Sequence, residues 1–438
     1  MKFPTLIQFF TDPILRAPAV GSMFMCLASS LIGVITFVQR RSLIGEALSH
    51  ATYPGVISGI LISALWCDPK LSLPCFPILI GAFLFSWLGL IAIEMCERRL
   101  HLNPDASLCL ILSLFLGLGV TLASRIQAIH PFWYQQGQAF LFGQAATMGD
   151  VHIGLYATLS LAIVSLIVCR FRQIELIYFD LGFTQSLGLS TSLCHFFNHF
   201  LLILALVIGM RSVGIVLMSG MLIAPAACAR QFTDRLGSMF IISATVGILS
   251  GFFGVHLSVC IPLFLCKRPL HLPTGPMIIL VAVLLTFLSL LFAPKRGWLA
   301  RMLRIRAARL KQQMDHLLKV LWKRDTAQAS YLRSELGLSR LSLYFLLLFA
   351  KKKGWIRTGE AVTLTTHGRC KGAYIVRLHR LWELYLTSQL ELEERRVHRS
   401  AEEMEHILTP EIEERLTQLL NNPTRDPHHQ PIPRKGDT

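Results

Sequence analysis

Leu290-Leu291-Phe292-Ala293-Pro294-Lys295-Arg296-Gly297-Trp298-Leu299-Ala300-Arg301-Met302-Leu303-Arg304 is the stretch on which the fold turns. Before Lys295 the sequence is apolar over long runs, and after it charge becomes dense. Residues 1–297 carry 17 basic and 10 acidic side chains, whereas residues 298–438 carry 25 and 16 in half the length. Of the 438 residues, 53% are apolar and 16% charged, against about 25% charged in an ordinary soluble domain. Two solvents are implied: lipid for about the first two thirds of the chain and water for the rest. A simple soluble enzyme does not fit that balance. No G-x-x-x-x-G-K-[ST] phosphate loop and no nucleophile–base pair is visible, so any ATP hydrolysis is expected from another chain. The 11 cysteines are scattered, with no C-x-x-C, which argues against a disulfide scaffold or a thiolate zinc module. No signal peptide is expected ahead of the first apolar run, near Ala17.

Working leftward, apolar segments long enough to span recur near 17–38, 43–66, 73–93, 105–123, 151–169, 193–210, 213–229, 237–265 and 275–293. A span needs about 20 apolar residues. The expected class is an all-α polytopic membrane protein with about nine transmembrane helices, or eight if the span before Lys267 and Arg268 fails. Arg40/Arg41, Arg98/Arg99, Arg170/Arg172, Arg230/Arg235 and Lys295/Arg296 fall on one side, which the positive-inside bias makes cytoplasmic. The segment from Arg125 to Asp150 then falls outside, and the C-terminal part lies in the cytoplasm.

Polar groups within such segments are costly and therefore informative. In Gly45-Glu46-Ala47-Leu48-Ser49-His50, Glu46 and His50 are four residues apart and share a helix face. A carboxylate beside an imidazole suits a divalent first-row metal; a helix-end pair that satisfies itself is the alternative. Asp180 to Leu189 reads as a loop expected on the cytoplasmic side. Gly214, Ser219, Gly220 and Ala224 supply small residues for close helix packing, as any tight bundle needs.

Taken in order, Glu46-Ala-Leu-Ser-His-Ala-Thr-Tyr-Pro-Gly55, Asn103-Pro-Asp-Ala-Ser107, Phe142-Gly-Gln144, Tyr178-Phe-Asp-Leu-Gly-Phe-Thr-Gln-Ser-Leu-Gly188 and Val213 through Arg230 resemble the permease subunits of manganese/zinc/iron ABC importers. The resemblance implies a permease pair, formed with itself or a second permease. It also implies cytoplasmic ATPase subunits and an extracytoplasmic metal-binding protein that delivers the ion. Glu46 and His50 become transit ligands, and the loop bearing Asp180, Gly182 and Gly188 becomes the ATPase contact.

To the right of the boundary the periodicity changes. Met314, Leu317, Leu318 and Leu321 make an amphipathic helix, Ala329–Leu336 a second, and Ser339 opens a third ending near Lys351–Lys353. Two short strands around Gly359 complete a winged helix–turn–helix. Residues 299–380 carry 18 basic and 4 acidic groups, a field suited to phosphate backbones, and near the membrane to anionic lipid. The third helix is mostly apolar. Ser339, Arg340, Ser342 and Tyr344 remain to reach bases, with Arg333, Lys351, Lys352, Lys353 and Arg357 for phosphates. A winged-helix fold used for protein contact is the alternative.

Residues 381–438 reverse sign, with 7 basic and 12 acidic groups. His379 and Glu383 are four apart. His398, Glu402, Glu405 and His406 fall within about 100° of one helix face, a metal-binding pattern; a solvated acidic face is the alternative. Val397 through His406, Thr409 through Leu416 and Asn421 through Pro433 resemble the diphtheria-toxin-repressor family of metal-dependent transcription factors. That resemblance adds Asp315 as an N-terminal ligand and assigns ligand roles to His379, Glu383, His398, Glu402, Glu405 and His406. Glu402 and Asp315 match the manganese-type branch. Carboxylates there favour hard ions, Mn(II) or Fe(II) first and Zn(II) next. No SH3-like third domain is expected after Pro433.

Permease and repressor together resemble the fused permease–repressors of the Ytg type. The expected organisation is a permease over 1–296, a basic linker over 297–311, a winged helix–turn–helix over 312–368 and a metal-binding and dimerisation domain over 369–438. The expected function is ATP-driven divalent-metal import into a bacterial cytoplasm, with the same metal as corepressor for operator DNA. Proteolysis in the linker is expected to release the repressor. The alternatives are a C-terminal domain that only gates transport, and a membrane-bound sensor that no longer transports.

Overall fold

The computed structural model describes residues 5–41, 43–66, 75–129, 131–143, 145, 148–188, 191–265, 272–390 and 409–434. The chain forms two compact units, Met1–Ala300 and Arg301–Thr438. The first is wholly helical among its described residues. Its helices are α1 Gln8–Thr11, α2 Pro13–Val38, α3 Ile44–Trp66, α4 Cys75–Arg99, α5 Pro104–Ile129 and α6 Pro131–Phe142, then α7 Asp150–Phe179, α8 Leu181–Ser186, α9 Thr191–Gly209, α10 Ile215–Phe232, α11 Leu236–Leu265 and α12 Thr274–Phe292.

Among the described residues, seven helices are long and apolar enough to cross a membrane: α2, α4, α5, α7, α10, α11 and α12. Helices α3 and α9 lie at the two other positions where the sequence predicts a span, and α9 is apolar over the shorter stretch Leu193–Gly209. Helix α2 starts earlier than its hydropathy suggests. The Asp12 carboxylate accepts the Ile14 N–H at 3.0 Å, and Pro13 sits at the first turn, where its missing N–H costs nothing.

The segment expected outside, after Arg125, carries an element that hydropathy does not mark. It holds α6, 12 residues and therefore about 18 Å long, too short to span. Helix α6 packs on α3, α5 and α10, with Trp133 buried. Gln135, Gln136 and Gln138 interrupt its apolar residues and leave no run of spanning length, which is why hydropathy passes over it.

The helices pack through close backbone approach. A Cβ on Gly55 would collide with the Gly81 carbonyl, and one on Gly81 with the Gly55 carbonyl, so α3 and α4 cross glycine to glycine. The small residues anticipated near α10 act differently. Gly214 takes φ 99° as the N-cap of α10, a conformation L side chains avoid, whereas a Cβ on Gly220 would meet only Ile279 at ordinary distance.

In the second unit, α13 (Trp298–Arg324) begins just ahead of the unit boundary, so the residues expected as a linker run directly into the first helix. Strand β1 (Thr326–Ala327), α14 (Ala329–Glu335), α15 (Arg340–Lys352), β2 (Ile356–Thr358) and β3 (Val362–Leu364) follow, then α16 (Thr366–Leu390) and α17 (Pro410–Leu419). The sheet order is β1-β3-β2, antiparallel, with Ala327 opposite Val362 and Ile356 opposite Leu364. Its core joins Met314, Leu317, Leu318 and Leu321 of α13 to Leu332, Leu343, Leu346, Ala350, Ile356 and Val362. Gly337, at φ 61°, makes the turn between α14 and α15.

Candidate functional site

Glu46 occupies the first turn of α3 and His50 lies one turn later; both are partly exposed on the same face. Pro54 lies within the helix and has no N–H. The His50 carbonyl therefore loses its usual donor, and the helix is locally loosened where the two polar side chains project. Their neighbours Ala47, Leu48 and Ser49 are buried, so the pair is presented by a tightly packed helix.

The segment after α7 is ordered by Asp180. Its carboxylate accepts the Phe183 N–H at 2.9 Å and its carbonyl accepts the Thr184 hydroxyl at 2.7 Å, which nucleates the short helix α8. Gly188 closes it at φ 71°. Gly182 is exposed, as are Phe179, Phe183 and Leu187, which make a small apolar surface. Sequence reading passed over a cavity of about 780 Å³ at the ends of α2, α4, α7 and α9, lined in part by Glu94, Glu97, His195 and His199. Arg41 pairs with Glu97 there at 2.8 Å, and the Tyr178 hydroxyl accepts from Asn198 at 2.8 Å and also from Gln39.

In the second unit, Arg333, Ser339, Arg340, Ser342, Tyr344, Lys351, Lys352, Lys353 and Arg357 are all exposed. Ser339 caps α15, its hydroxyl accepting the Ser342 N–H at 3.2 Å. One face of α15, with Leu343, Leu346 and Ala350, is buried. The other exposes Leu341 (72%), Tyr344, Phe345 (64%), Leu348 and Phe349. That apolar surface, rather than polar base-reading groups, dominates the free face of the helix.

Of the seven expected ligands of the sensing domain, Asp315 lies on α13 and His379 and Glu383 on α16, all three buried. His398, Glu402, Glu405 and His406 lie outside the described residues. His379 Nε2 is 3.0 Å from Glu383 Oε1, and His379 Nδ1 is 3.0 Å from Lys319 Nζ. Among the described residues no three His, Cys, Asp or Glu side chains gather where an ion could sit. The carboxylate of Asp315 fits a hard divalent ion; the His379–Glu383 pair is already engaged by an ammonium.

Sequence reading missed the groups that fix α16. Arg377 bonds Glu413 Oε1 at 2.8 Å, the Pro433 carbonyl at 2.8 Å and the Thr417 hydroxyl at 3.1 Å, with the Arg–Glu pair buried. Arg380 pairs with Asp426 at 3.3 Å and donates to the Pro431 carbonyl. Burial pushes the Arg380 guanidinium below its ordinary range, opposed by the nearby Asp426 and Glu383 charges. Burial likewise pushes the Tyr374 hydroxyl up, helped by the Glu413 charge. Arg377 and Arg380, three apart, with carboxylates some forty residues on, were the available signal.

A family model described as "ABC 3 transport family" matches residues 11–293. A second, "Iron dependent repressor, metal binding and dimerisation domain", matches residues 365–434. The chain is 36% identical over 445 residues to a probable metal transport system membrane protein of Chlamydia trachomatis, covering 97% of each chain. It is 31% identical over 380 residues to the manganese transport system membrane protein MntC of Bacillus subtilis, covering 85% of this chain and 84% of that one. The solved structure of PsaBC from Streptococcus pneumoniae in complex with a Fab superposes with TM-score 0.57 at 25% identity, over 69% of this chain and 98% of that chain.

Proposed function

Because the chain belongs to the ABC 3 transport family and carries an iron-dependent-repressor domain at its C-terminal end, we propose that it imports a divalent metal and reports that metal to DNA. The observation that carries this reading is the presence of both modules in one chain.

In the membrane unit, Glu46 and His50 are the transit ligands. They offer one carboxylate and one imidazole, enough to hold an ion briefly and too few to retain it. Nine crossings, with α3 and α9 added to the seven, put the Lys/Arg clusters and the C-terminal unit in the cytoplasm. ATP-binding subunits take up the exposed Phe179, Phe183 and Leu187 on the segment ordered by Asp180, Gly182 and Gly188. A second permease, or a second copy of this chain, and an extracytoplasmic metal-binding protein complete the importer. The ion is Mn(II) or Fe(II), with Zn(II) next.

In the second unit, α14, α15 and the β2–β3 hairpin act as a winged helix–turn–helix. Arg333, Lys351, Lys352, Lys353 and Arg357 meet phosphates, and Ser339, Arg340, Ser342 and Tyr344 meet bases. Asp315, His398, Glu402, Glu405 and His406 hold the corepressor ion. Bound there, a divalent ion would supply the positive charge that lets these carboxylates come together. Asp315 then ties α13, and with it the DNA-reading helices, to the dimerisation domain. Metal favours DNA only if the DNA-competent arrangement binds it more tightly. Proteolysis within 297–311 frees this unit from the membrane.

The test is DNA binding by Arg301–Thr438, titrated with Mn(II) and Fe(II). Metal-dependent binding to DNA from the chain's own operon is expected, and Asp315→Ala should remove the metal dependence. A second reading, in which this unit only senses metal and gates transport, is favoured by the apolar free face of α15. It predicts no DNA binding with or without metal, and metal-inhibited uptake by the full chain.

A further inference from the structure

Lys319 of α13 is 5% exposed, and its Nζ lies 3.0 Å from His379 Nδ1. On the far side of the ring, Nε2 lies 3.0 Å from Glu383 Oε1; His379 is 4% exposed and Glu383 3%. An ammonium has only hydrogens to donate, and a carboxylate has only lone pairs. One state of the neutral imidazole satisfies both neighbours: Nδ1 accepts from Lys319 and Nε2 donates to Glu383. In that state neither ring nitrogen has a lone pair left for a metal.

The alternative state is unfavourable. A metal at Nε2 moves the ring proton to Nδ1, where it points at the Lys319 ammonium, donor against donor in a buried position. It also sets a divalent charge beside a monovalent one where water does not screen them. Asp315 lies four residues before Lys319 on the same helix and shares its face.

We propose that Lys319 is a resident cation that holds the His379–Glu383 pair out of metal coordination. Seven candidate ligands exceed the six of an octahedral ion, and this contact removes two of them. The sensing unit then takes one divalent ion per chain, and α13 is fastened to α16 whether or not metal is present. Asp315 is left as the metal-dependent link from α13. The count of one ion rests on the sensing role proposed above; the exclusion at His379 rests on the contact itself.

The test uses the full-length chain in detergent, carrying Glu46→Gln and His50→Ala so that the membrane pair is not counted. Bound Mn(II) per chain is measured from the free-ion electron paramagnetic resonance signal. His379→Gln is expected to leave the count unchanged. Lys319→Met is expected to add one ion per chain, and adding His379→Gln to it removes that ion again. Loss of an ion on His379→Gln with Lys319 in place overturns the proposal. So does a Lys319→Met chain with parental thermal stability and no added ion. If Lys319→Met does not fold, the His379→Gln comparison decides alone. Failure of the sensing role reads differently: Glu402→Ala with His406→Ala then leaves Mn(II) binding unchanged in the parent, and the Lys319 comparison still stands.

Discussion

Pro54 decides how Glu46 and His50 are displayed, since it withholds an amide from the His50 carbonyl one turn back. Replacing Glu46 by Gln and His50 by Ala together should lower metal uptake into proteoliposomes at least tenfold, with folded yield unchanged because both side chains are partly exposed. Unaltered uptake would remove them from the path. In the sensing unit, Arg377→Ala leaves Glu413 buried and unpaired. It should cost about 3–5 kcal/mol, whereas an apolar pair at both positions should cost far less; denaturant-dependent hydrogen exchange of α16 reads the difference. At this scale the sequence was informative where two groups sit four apart on one helix, as Glu46/His50 and His379/Glu383 do. It was silent where partners come from distant segments. Nothing in the pattern of α13 marks Lys319 as the neighbour of His379, 60 residues on, and nothing marks Arg41 as the partner of Glu97.

Elements carry the next set of consequences. Helix α8 exists because one carboxylate caps it and one glycine ends it. If ATP-binding subunits seat on it, Phe183→Asp should leave the permease folded and abolish metal-stimulated ATP hydrolysis in the assembled transporter; full retained stimulation would place the contact elsewhere. Helix α15 offers a sharper choice. Changing Lys351, Lys352 and Lys353 to Ala should weaken DNA binding across sequences and reduce the salt slope by up to about 0.9 per lost phosphate contact. Phe345→Ser with Phe349→Ser, both exposed, should move stability by no more than about 0.5 kcal/mol per site. If those serines abolish regulation of uptake and the alanines do not, the gating reading is the correct one. Hydropathy made the long helices legible because lipid demands length. It missed α6, which is short and mixed in polarity, and it placed the start of α2 late because Asp12 and Pro13 act through hydrogen bonding rather than hydrophobicity.

The whole molecule joins two units through a chain segment that is helical from Trp298. A protease needs extended backbone, so cleavage within 297–311 requires that stretch of helix to open first; its exposed basic face, with few buried contacts, allows this at low cost. Immunoblots of cells with a C-terminal antibody should show a soluble fragment of roughly the size of the second unit. Gly297→Ala, just ahead of the helix, would drive a Cβ into the Ala293 backbone, so Arg304→Pro, which opens the helix, is the cleaner variant and should increase the fragment.

The reciprocal glycines of α3 and α4 bear on how this transporter works as a machine. With Gly55 and Gly81 facing each other backbone to backbone, neither helix can turn about its own axis without driving a side chain into the other's carbonyls. The two helices are therefore keyed like a tongue in a slot. Any stroke that moves one of these helices must carry both as a single lever, with its pivot outside the pair.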